Sequence, residues 1–209
     1  MPDTLKTDTV VEAIQDSIIE DSTAWRRIMD FEAEERLLAY GVENKETKFV
    51  IKTKFGDIKV RLYESTPLHR ASMVLMIKNK IFDNSRFYRV TKNFIVQAGF
   101  TDGPGAYERI SAIGRYKIPS EVNHDKYPHV RGAFAMAGED LYPGKERSKK
   151  SNPFTFYIVD GEKQTDQSLE AIGETYGVEY ADKNKSKYKN TFSKSSTKKK
   201  EEVDRRFCF

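Results

Sequence analysis

Apolar residues recur at helical spacing in the first forty residues of the chain. They lie on both sides of a break at "EDST", residues 20–23, and are Val10, Val11, Ile14, Ile18, Trp25, Ile28, Met29, Ala33 and Leu37. A spacing of three or four residues is typical of amphipathic helices. We therefore predict that residues 9–40 form a helical hairpin or two short helices. Asp21 or Ser22 would cap the second helix, and Gly41 would end it.

The pattern changes to strict alternation in "KFVIKTKFGDIKVRLY", residues 48–63. Before the glycine, Phe49, Ile51 and Thr53 would share one face of a strand. After it, Ile58, Val60 and Leu62 would do the same. Alternation on both sides of a glycine predicts a β-hairpin, with its turn at Gly56-Asp57.

One helix and four further strands follow. In "STPLHRASMVLMIKNK", Thr66 is a candidate N-cap and Pro67 stands at the first helical position. The strands are "RFYRV", "FIVQAGF", "RGAFAMAG" and "FTFYIVDG", and "TDGPGAYE" after the second of them is predicted to be a loop. Several short strands with glycine turns and one helix between them favour a closed antiparallel barrel over a parallel sheet.

Length and composition agree with one domain that carries extensions. The chain has 209 residues, of which 33% are charged. Its single cysteine, Cys208, excludes a disulfide within the chain. No secretion-signal pattern opens the sequence, and no apolar run approaches the roughly 18 residues that span a bilayer. We expect a soluble cytoplasmic protein, with a removed secretion signal as the alternative.

The positive charge is concentrated near the C-terminus. Residues 181–206 hold ten Lys/Arg and four Asp/Glu, whereas the whole chain holds 36 and 32, so the rest is slightly acidic. Apolar residues are sparse in this part, which predicts a weakly structured segment over 166–209 and disorder from about residue 183. Its lysines could attract nucleic acid without specificity, but a solvated tail explains them as well.

Six elements of the sequence occur in the order of a known family. They are Gly56-Asp57, Pro67, Phe87-Tyr88-Arg89-Val90, Phe94-Ile95-Val96-Gln97-Ala98-Gly99, "IPSEVNHDKYPHVRGAFAMA" and "FTFYIV". Over residues 48–160 the chain resembles a cyclophilin-type peptidyl-prolyl cis-trans isomerase. The resemblance implies a cyclophilin-like antiparallel β-barrel, mainly β with helices, over residues 46–165. Residues 1–45 would then be a helical N-terminal extension.

The resemblance also implies a site that needs no cofactor and no metal. Arg89 would donate a hydrogen bond to the prolyl nitrogen, and Gln97 would hold the substrate carbonyl and steer the arginine. The other substrate-binding positions are Phe94, Met136 and Tyr157 in the proline pocket, Ala137 and Gly138 along the substrate backbone, and Thr155 in place of a family glutamine. The expected partners are proline-containing polypeptides, with no specific nucleic acid and no membrane span.

The sequence departs from the family after "FYIVDG". The Leu-Asp-Gly turn, the strand ending in Phe-Gly, the helix and the closing strand of the family are not recognisable in residues 161–209. The barrel is therefore predicted to be incomplete, which would open the pocket on one side and weaken peptide binding. Three alternatives stay open: the tail substitutes, a partner chain completes the sheet, or the sequence is a truncated product.

Two other functions compete with catalysis. An incomplete barrel favours a binding module that holds proline-containing segments without useful turnover. Basic and aromatic residues interleave in "RFYRVTKNFIVQAGF", as they do in RNA-binding platforms, but the glycine-aromatic core of such a motif is absent. The three histidines follow no metal-ligand spacing and are predicted to be structural or surface residues; they are His69, His124 and His129.

Overall fold

A computed structural model shows two β-sheets and five helices in the part of the chain that it describes. That part comprises residues 9–10, 27–99, 105–123, 125–138, 149–176, 179, 182–189 and 205–206. The helices are α1 (Ala33–Glu43), α2 (Pro67–Lys78), α3 (Ala106–Ile113), α4 (Asp166–Tyr176) and α5 (Asp182–Lys189). The strands are β1 (Thr9–Val10), β2 (Lys48–Thr53), β3 (Gly56–Arg61), β4 (Arg89–Thr91), β5 (Ile95–Gly99), β6 (Phe134–Gly138), β7 (Ser151–Val159) and β8 (Arg205–Arg206).

Each sheet has four strands. The first runs in the order β1-β2-β3-β8, with β3 and β8 parallel, and the second runs β4-β5-β7-β6 with every pair antiparallel. Within the described residues no strand pairs one sheet with the other, so the barrel is not closed. The predicted fold class, antiparallel β-structure with helices and an incomplete barrel, is therefore confirmed.

The β2–β3 hairpin has the predicted faces but a different turn. Phe49 pairs with Val60, and Ile51 pairs with Ile58, so the alternating apolar residues share one side. The turn lies at Lys54-Phe55, because Thr53 pairs with Gly56. The Thr53 hydroxyl fixes this turn by accepting the Phe55 N–H at 3.1 Å and donating to the Gly56 carbonyl at 2.8 Å.

The prediction of helix throughout residues 9–40 is wrong at two places. Thr9–Val10 pair with β2 as a strand. Residues 27–32 are not helical, because a turn closes between Met29 and Glu32: the Glu32 carboxylate accepts the Met29 N–H at 3.0 Å. The helix therefore begins at Ala33, and it ends at Glu43, past Gly41. The predicted caps Asp21 and Ser22, and Trp25, lie outside the described residues.

Helix α1 is an integral part of the core. Leu37 and Tyr40 are buried, and so is Ile28 just before the helix, whereas Met29 is exposed. The buried guanidinium of Arg70, on α2, donates to the Asn44 carbonyl at 2.7 Å and to the Gly41 carbonyl at 2.9 Å. A cation at a helix C-terminus satisfies carbonyls that have no partner within the helix.

Helix α2 is buried along most of its length and is capped by a distant carboxylate. Thr66 and Pro67 occupy the predicted N-cap and first helical positions, but the Thr66 hydroxyl donates to the Tyr63 carbonyl instead of capping the helix. Glu121 accepts hydrogen bonds from the N–H groups of Leu68 at 3.1 Å and His69 at 3.0 Å.

In the described part of the chain, neither α2 nor another helix is long and apolar enough to cross a membrane.

The same carboxylate orients the fully buried His69. Its Nδ1 donates to Glu121 at 2.6 Å, and its Nε2 lies 3.0 Å from the Ser151 hydroxyl at the start of β7. Burial lowers the pKa of His69 below its usual 6.5, and this outweighs the opposing effect of the Glu121 carboxylate. The Nε2 of the neutral ring therefore accepts a hydrogen bond from the Ser151 hydroxyl, and this bond ties α2 to the second sheet.

Three helices lie where the sequence predicted loop or weak structure. Helix α3 occupies part of the predicted loop and buries Ala106, Ile110 and Ile113, which are spaced as on one helical face. Helix α4 buries Leu169. The prediction of disorder from about residue 183 is wrong for α5 and for β8, which pairs with β3.

Two adjacent leucines of α1 test whether this helix belongs to the core. Leu37→Ala removes a side chain that is 0% exposed, and we expect it to lower the free energy of unfolding by about 2–5 kcal/mol. Leu38→Ala is the matched control, because Leu38 is 43% exposed and should cost less than about 1 kcal/mol. Urea denaturation of both variants measures the difference. Equal losses would contradict the placement of α1.

The environment of His69 makes a prediction about pH. The pKa of this buried imidazole is lower in the folded chain than in the unfolded chain. The unfolded state therefore binds the proton more readily, and the free energy of unfolding should fall as pH drops below about 6.5. A proton NMR titration should show that the His69 ring stays neutral below that pH. A ring that titrates at 6.5 or higher would contradict the prediction, because it would mean that the Glu121 carboxylate outweighs burial in setting the pKa of His69.

Candidate active site

One cross-strand row places three predicted site residues on the same face of the second sheet. Arg89 of β4 pairs with Gln97 of β5, and Gln97 pairs with Tyr157 of β7. Tyr157 in turn pairs with Ala135 of β6. Residues directly opposite each other have Cβ atoms about 4.5–5.5 Å apart and point to the same side. We call Arg89, Gln97 and Tyr157 the site row.

The opposite face of the sheet belongs to the core. Ala98 pairs with Phe156, and Phe156 pairs with Met136, and all three are buried. Phe156 also packs edge-on against Phe82. Met136 was predicted to line the proline pocket, but the structure does not bring it to the site row. The two-residue period of the strand points its side chain inward, where it supports the sheet from beneath.

Arg89 lies over an aromatic ring at the open end of the row. Its side chain is exposed, and its Cζ lies 5.7 Å from the ring centroid of Phe94, within the range of a cation–π interaction. Phe94 is 52% exposed and sits in the β4–β5 turn, where its N–H donates to the Thr91 carbonyl. Its own carbonyl accepts the N–H groups of Asp160 at 2.9 Å and Gly161 at 3.0 Å. These hydrogen bonds fix the backbone of Phe94, and its ring lies beside the Arg89 guanidinium.

Tyr157 is held by His129, which was predicted to be a structural or surface residue and not part of the site. The Tyr157 hydroxyl lies 2.9 Å from Nε2 of His129, and the two rings stack with an interplanar angle of 23°. The His129 N–H donates to the hydroxyl of Tyr188, on α5, at 3.0 Å. His129 and Tyr188 are far apart in the sequence and follow no motif, so only the fold brings them to the site.

The remaining predicted positions lie at the end of β6 and in the middle of β7. Ala137 is half-buried and Gly138 is exposed, at the end of a strand that forms one edge of the sheet. A substrate segment can add to such an edge through backbone hydrogen bonds. Thr155 is buried and pairs with Gly99, two residues along β7 from Tyr157. Thr155 therefore shares the face of the site row but is largely covered.

The close approach of β5 and β7 requires glycine at position 99. Gly99 has φ of +129°, and a Cβ there would lie 2.3 Å from the Phe154 carbonyl oxygen and 2.8 Å from the Thr155 Cα. No other residue fits that space without moving the backbone. Gly99 thus fixes how β7 lies against the strand that carries Gln97.

The charges of the site row limit the chemistry that it can perform. Arg89 is a permanent cation with several N–H donors, and neither Gln97 nor Tyr157 is a strong base at neutral pH. Ile95, also on this face and buried, adds apolar surface that the sequence analysis had not assigned to the site. Such a site can bind an apolar ring between aromatic side chains and donate a hydrogen bond to an acceptor above it. In the described residues no three His, Cys, Asp or Glu side chains converge as a metal site would require.

Comparison with known proteins identifies one family. The family model described as "Cyclophilin type peptidyl-prolyl cis-trans isomerase/CLD" matches residues 48–201, which extends beyond the region of the sequence resemblance. The peptidyl-prolyl cis-trans isomerase cyp15 of Rhizopus delemar is 37% identical over 99 residues, which are 44% of this chain and 16% of that protein.

Two bacterial relatives are also similar. A peptidyl-prolyl cis-trans isomerase from one strain of Helicobacter pylori is 30% identical over 116 residues, 53% of this chain and 62% of that protein. The corresponding protein of a second strain is 31% identical over 88 residues, 42% of this chain and 51% of that protein. The chain therefore spans less than two thirds of the length of each of these curated relatives.

Two glycines near the site provide a matched test of its backbone. Gly99→Ala should lower the free energy of unfolding by more than about 2 kcal/mol, because it combines a positive φ with a backbone clash. Gly138→Ala is the control, since a Cβ there would meet open space. Chemical denaturation gives both values. If both variants were as stable as the starting protein, the close approach of β5 and β7 would be wrong.

Proposed function

Because the chain belongs to the cyclophilin-type peptidyl-prolyl cis-trans isomerase family, we propose that it catalyses rotation about X–Pro peptide bonds in polypeptides. The observation that carries the proposal is the site row. An exposed arginine lies over the Phe94 ring and is aligned with Gln97 and Tyr157 on one face of a sheet.

The proposed reaction needs neither a nucleophile nor a proton shuttle. Resonance makes the peptide bond planar and imposes a rotation barrier of about 18–20 kcal/mol. Uncatalysed rotation of an X–Pro bond takes tens of seconds or more. At the twisted transition state the prolyl nitrogen loses its double-bond character and regains a lone pair. A donor that binds this lone pair stabilises the twisted state more than either planar state, and this difference accelerates the reaction.

Each member of the site has one role in this reaction. Arg89 donates to the prolyl nitrogen through an N–H of its planar guanidinium, and no proton is transferred. Phe94 and Tyr157 present ring surface to the proline, and Gln97, which lies between Arg89 and Tyr157, binds the preceding carbonyl. The exposed edge at Ala137 and Gly138 takes the substrate backbone. Expected substrates are therefore extended, accessible segments that contain proline.

A proline-peptide assay tests the proposal directly. Exchange spectroscopy by NMR measures cis–trans rotation of a short Ala-Pro peptide without a coupling enzyme. We expect the wild-type chain to accelerate rotation and Arg89→Ala to lower kcat/KM by about 10²- to 10³-fold, the usual effect of losing a transition-state donor. Peptide binding without acceleration would instead support a binding module, and no interaction with the peptide would overturn the proposal.

A conservative substitution tests the geometry of the donor. Arg89→Lys keeps the positive charge but loses the planar guanidinium, which can donate to the prolyl nitrogen while another N–H group is held by Gln97. We therefore expect Arg89→Lys to lose most of the activity, in the same assay. Arg86→Lys is the matched control, because Arg86 is exposed nearby and outside the row, and it should retain full activity. Near-normal turnover in Arg89→Lys would contradict the proposed geometry.

A further inference from the structure

Helix α5 is anchored beside the site row at three points. The Tyr188 hydroxyl accepts the His129 N–H at 3.0 Å, and the Tyr188 carbonyl accepts the Gln164 N–H at 3.3 Å. Lys189 forms an ion pair with Asp166, at the start of α4. These contacts place α5 next to His129, whose ring holds the Tyr157 hydroxyl.

Two hydrogen bonds in series connect α5 with the site row. Tyr188 holds the backbone of His129, and the His129 ring holds the hydroxyl of Tyr157. The segment before Gln164 also contacts the site, because the N–H groups of Asp160 and Gly161 donate to the Phe94 carbonyl. The chain from Asp160 to Tyr188 therefore contacts groups that hold Phe94 and Tyr157, the two rings to which the proline ring would bind.

We propose that α5 forms the side wall of the prolyl site and that Tyr188 is a positioning residue, acting through His129 on Tyr157. This inference rests on the proposed function, since it assigns Tyr157 a contact with the proline ring. A ring that is held in one orientation before the substrate arrives loses less rotational freedom on binding. The wall therefore contributes affinity, whereas Arg89 contributes the acceleration.

The proposed roles predict different kinetic effects. Tyr157 contacts the proline ring equally in the planar and the twisted state, so loosening Tyr157 should raise KM and leave kcat nearly unchanged. Arg89 acts only on the twisted state, so its loss should lower kcat. A merely structural role of Tyr188 would lower the fraction of folded protein and would not raise KM selectively.

A double-mutant cycle tests the serial connection. Tyr188→Phe removes the acceptor of the His129 N–H, and Tyr157→Phe removes the hydroxyl at the other end while keeping both rings. We expect each single variant to raise KM about fivefold, the effect of one lost neutral hydrogen bond. The double variant should be no worse than Tyr157→Phe alone, because that change already breaks the connection. Tyr107→Phe on the exposed Tyr107 of α3 is the control and should leave KM unchanged.

The outcomes separate this inference from the proposed function. The proposed side wall would be wrong if the increases in KM multiplied in the double variant, or if kcat fell while KM did not rise. It would also be wrong if Tyr188→Phe had no effect. If the wild-type chain binds the peptide without accelerating rotation, the proposed function fails. In that case the side wall is tested by the peptide dissociation constants of the wild-type chain, the two single variants and the double variant, measured by NMR titration. We expect each single variant to raise the dissociation constant about fivefold and the double variant to be no worse than Tyr157→Phe. A wild-type chain that neither binds nor accelerates overturns both.

Discussion

The pairing of Gln97 with two neighbours at once is the constraint on which the site depends. Gln97 lies opposite Arg89 on one side and opposite Tyr157 on the other, so three strands bring their side chains to one face. Because side chains alternate with a period of two, a slip of one residue in β5 would turn Gln97 into the core and expose Ala98. Burial of Ala98, Phe156 and Met136 opposes such a slip, so the core fixes the site.

Contacts at the start and in the middle of β7 reinforce this register. At its start, Ser151 is held by the buried His69, whose other ring nitrogen donates to the carboxylate that caps α2. Beside Thr155, Gly99 allows a backbone approach that no side chain would permit. Helix α2 and the strand that carries Tyr157 are thus linked through His69, which Glu121 orients. A change at this carboxylate should therefore reach the site even though Glu121 is not part of the site row.

Local pattern predicted the elements whose burial follows a simple period. Strict alternation located β2 and β3, and proline at the first helical position located α2. The prediction was wrong where a side chain bonds to the backbone of a near neighbour: the Thr53 hydroxyl moves the hairpin turn, and the Glu32 carboxylate forms a turn with Met29 that delays α1. The spacing of Ala106, Ile110 and Ile113 was present in the sequence, but the neighbouring glycines and proline led to the prediction of a loop instead of α3.

Family order predicted the candidate site better than any property of the residues themselves. It led to Arg89, Gln97, Phe94 and Tyr157, which the structure brings together. It also led to Met136, which the strand period turns inward. His129 and Tyr188 could not be predicted, because each is positioned by contacts with residues that are far away in the sequence. The same limitation explains why α5 was predicted to be disordered, since its lysine-rich sequence offers little apolar surface to bury.

The proposed function requires that one face of the second sheet binds the proline-containing segment. Titration of the isotope-labelled wild-type chain with an Ala-Pro peptide, followed through backbone and side-chain NMR signals, locates the binding face. We predict that the largest shifts occur at the Arg89 Nε–H, the Gln97 side-chain amide and the signals of Tyr157, with small shifts in β2 and β3. Shifts concentrated on the first sheet, with the site row unchanged, would contradict the account.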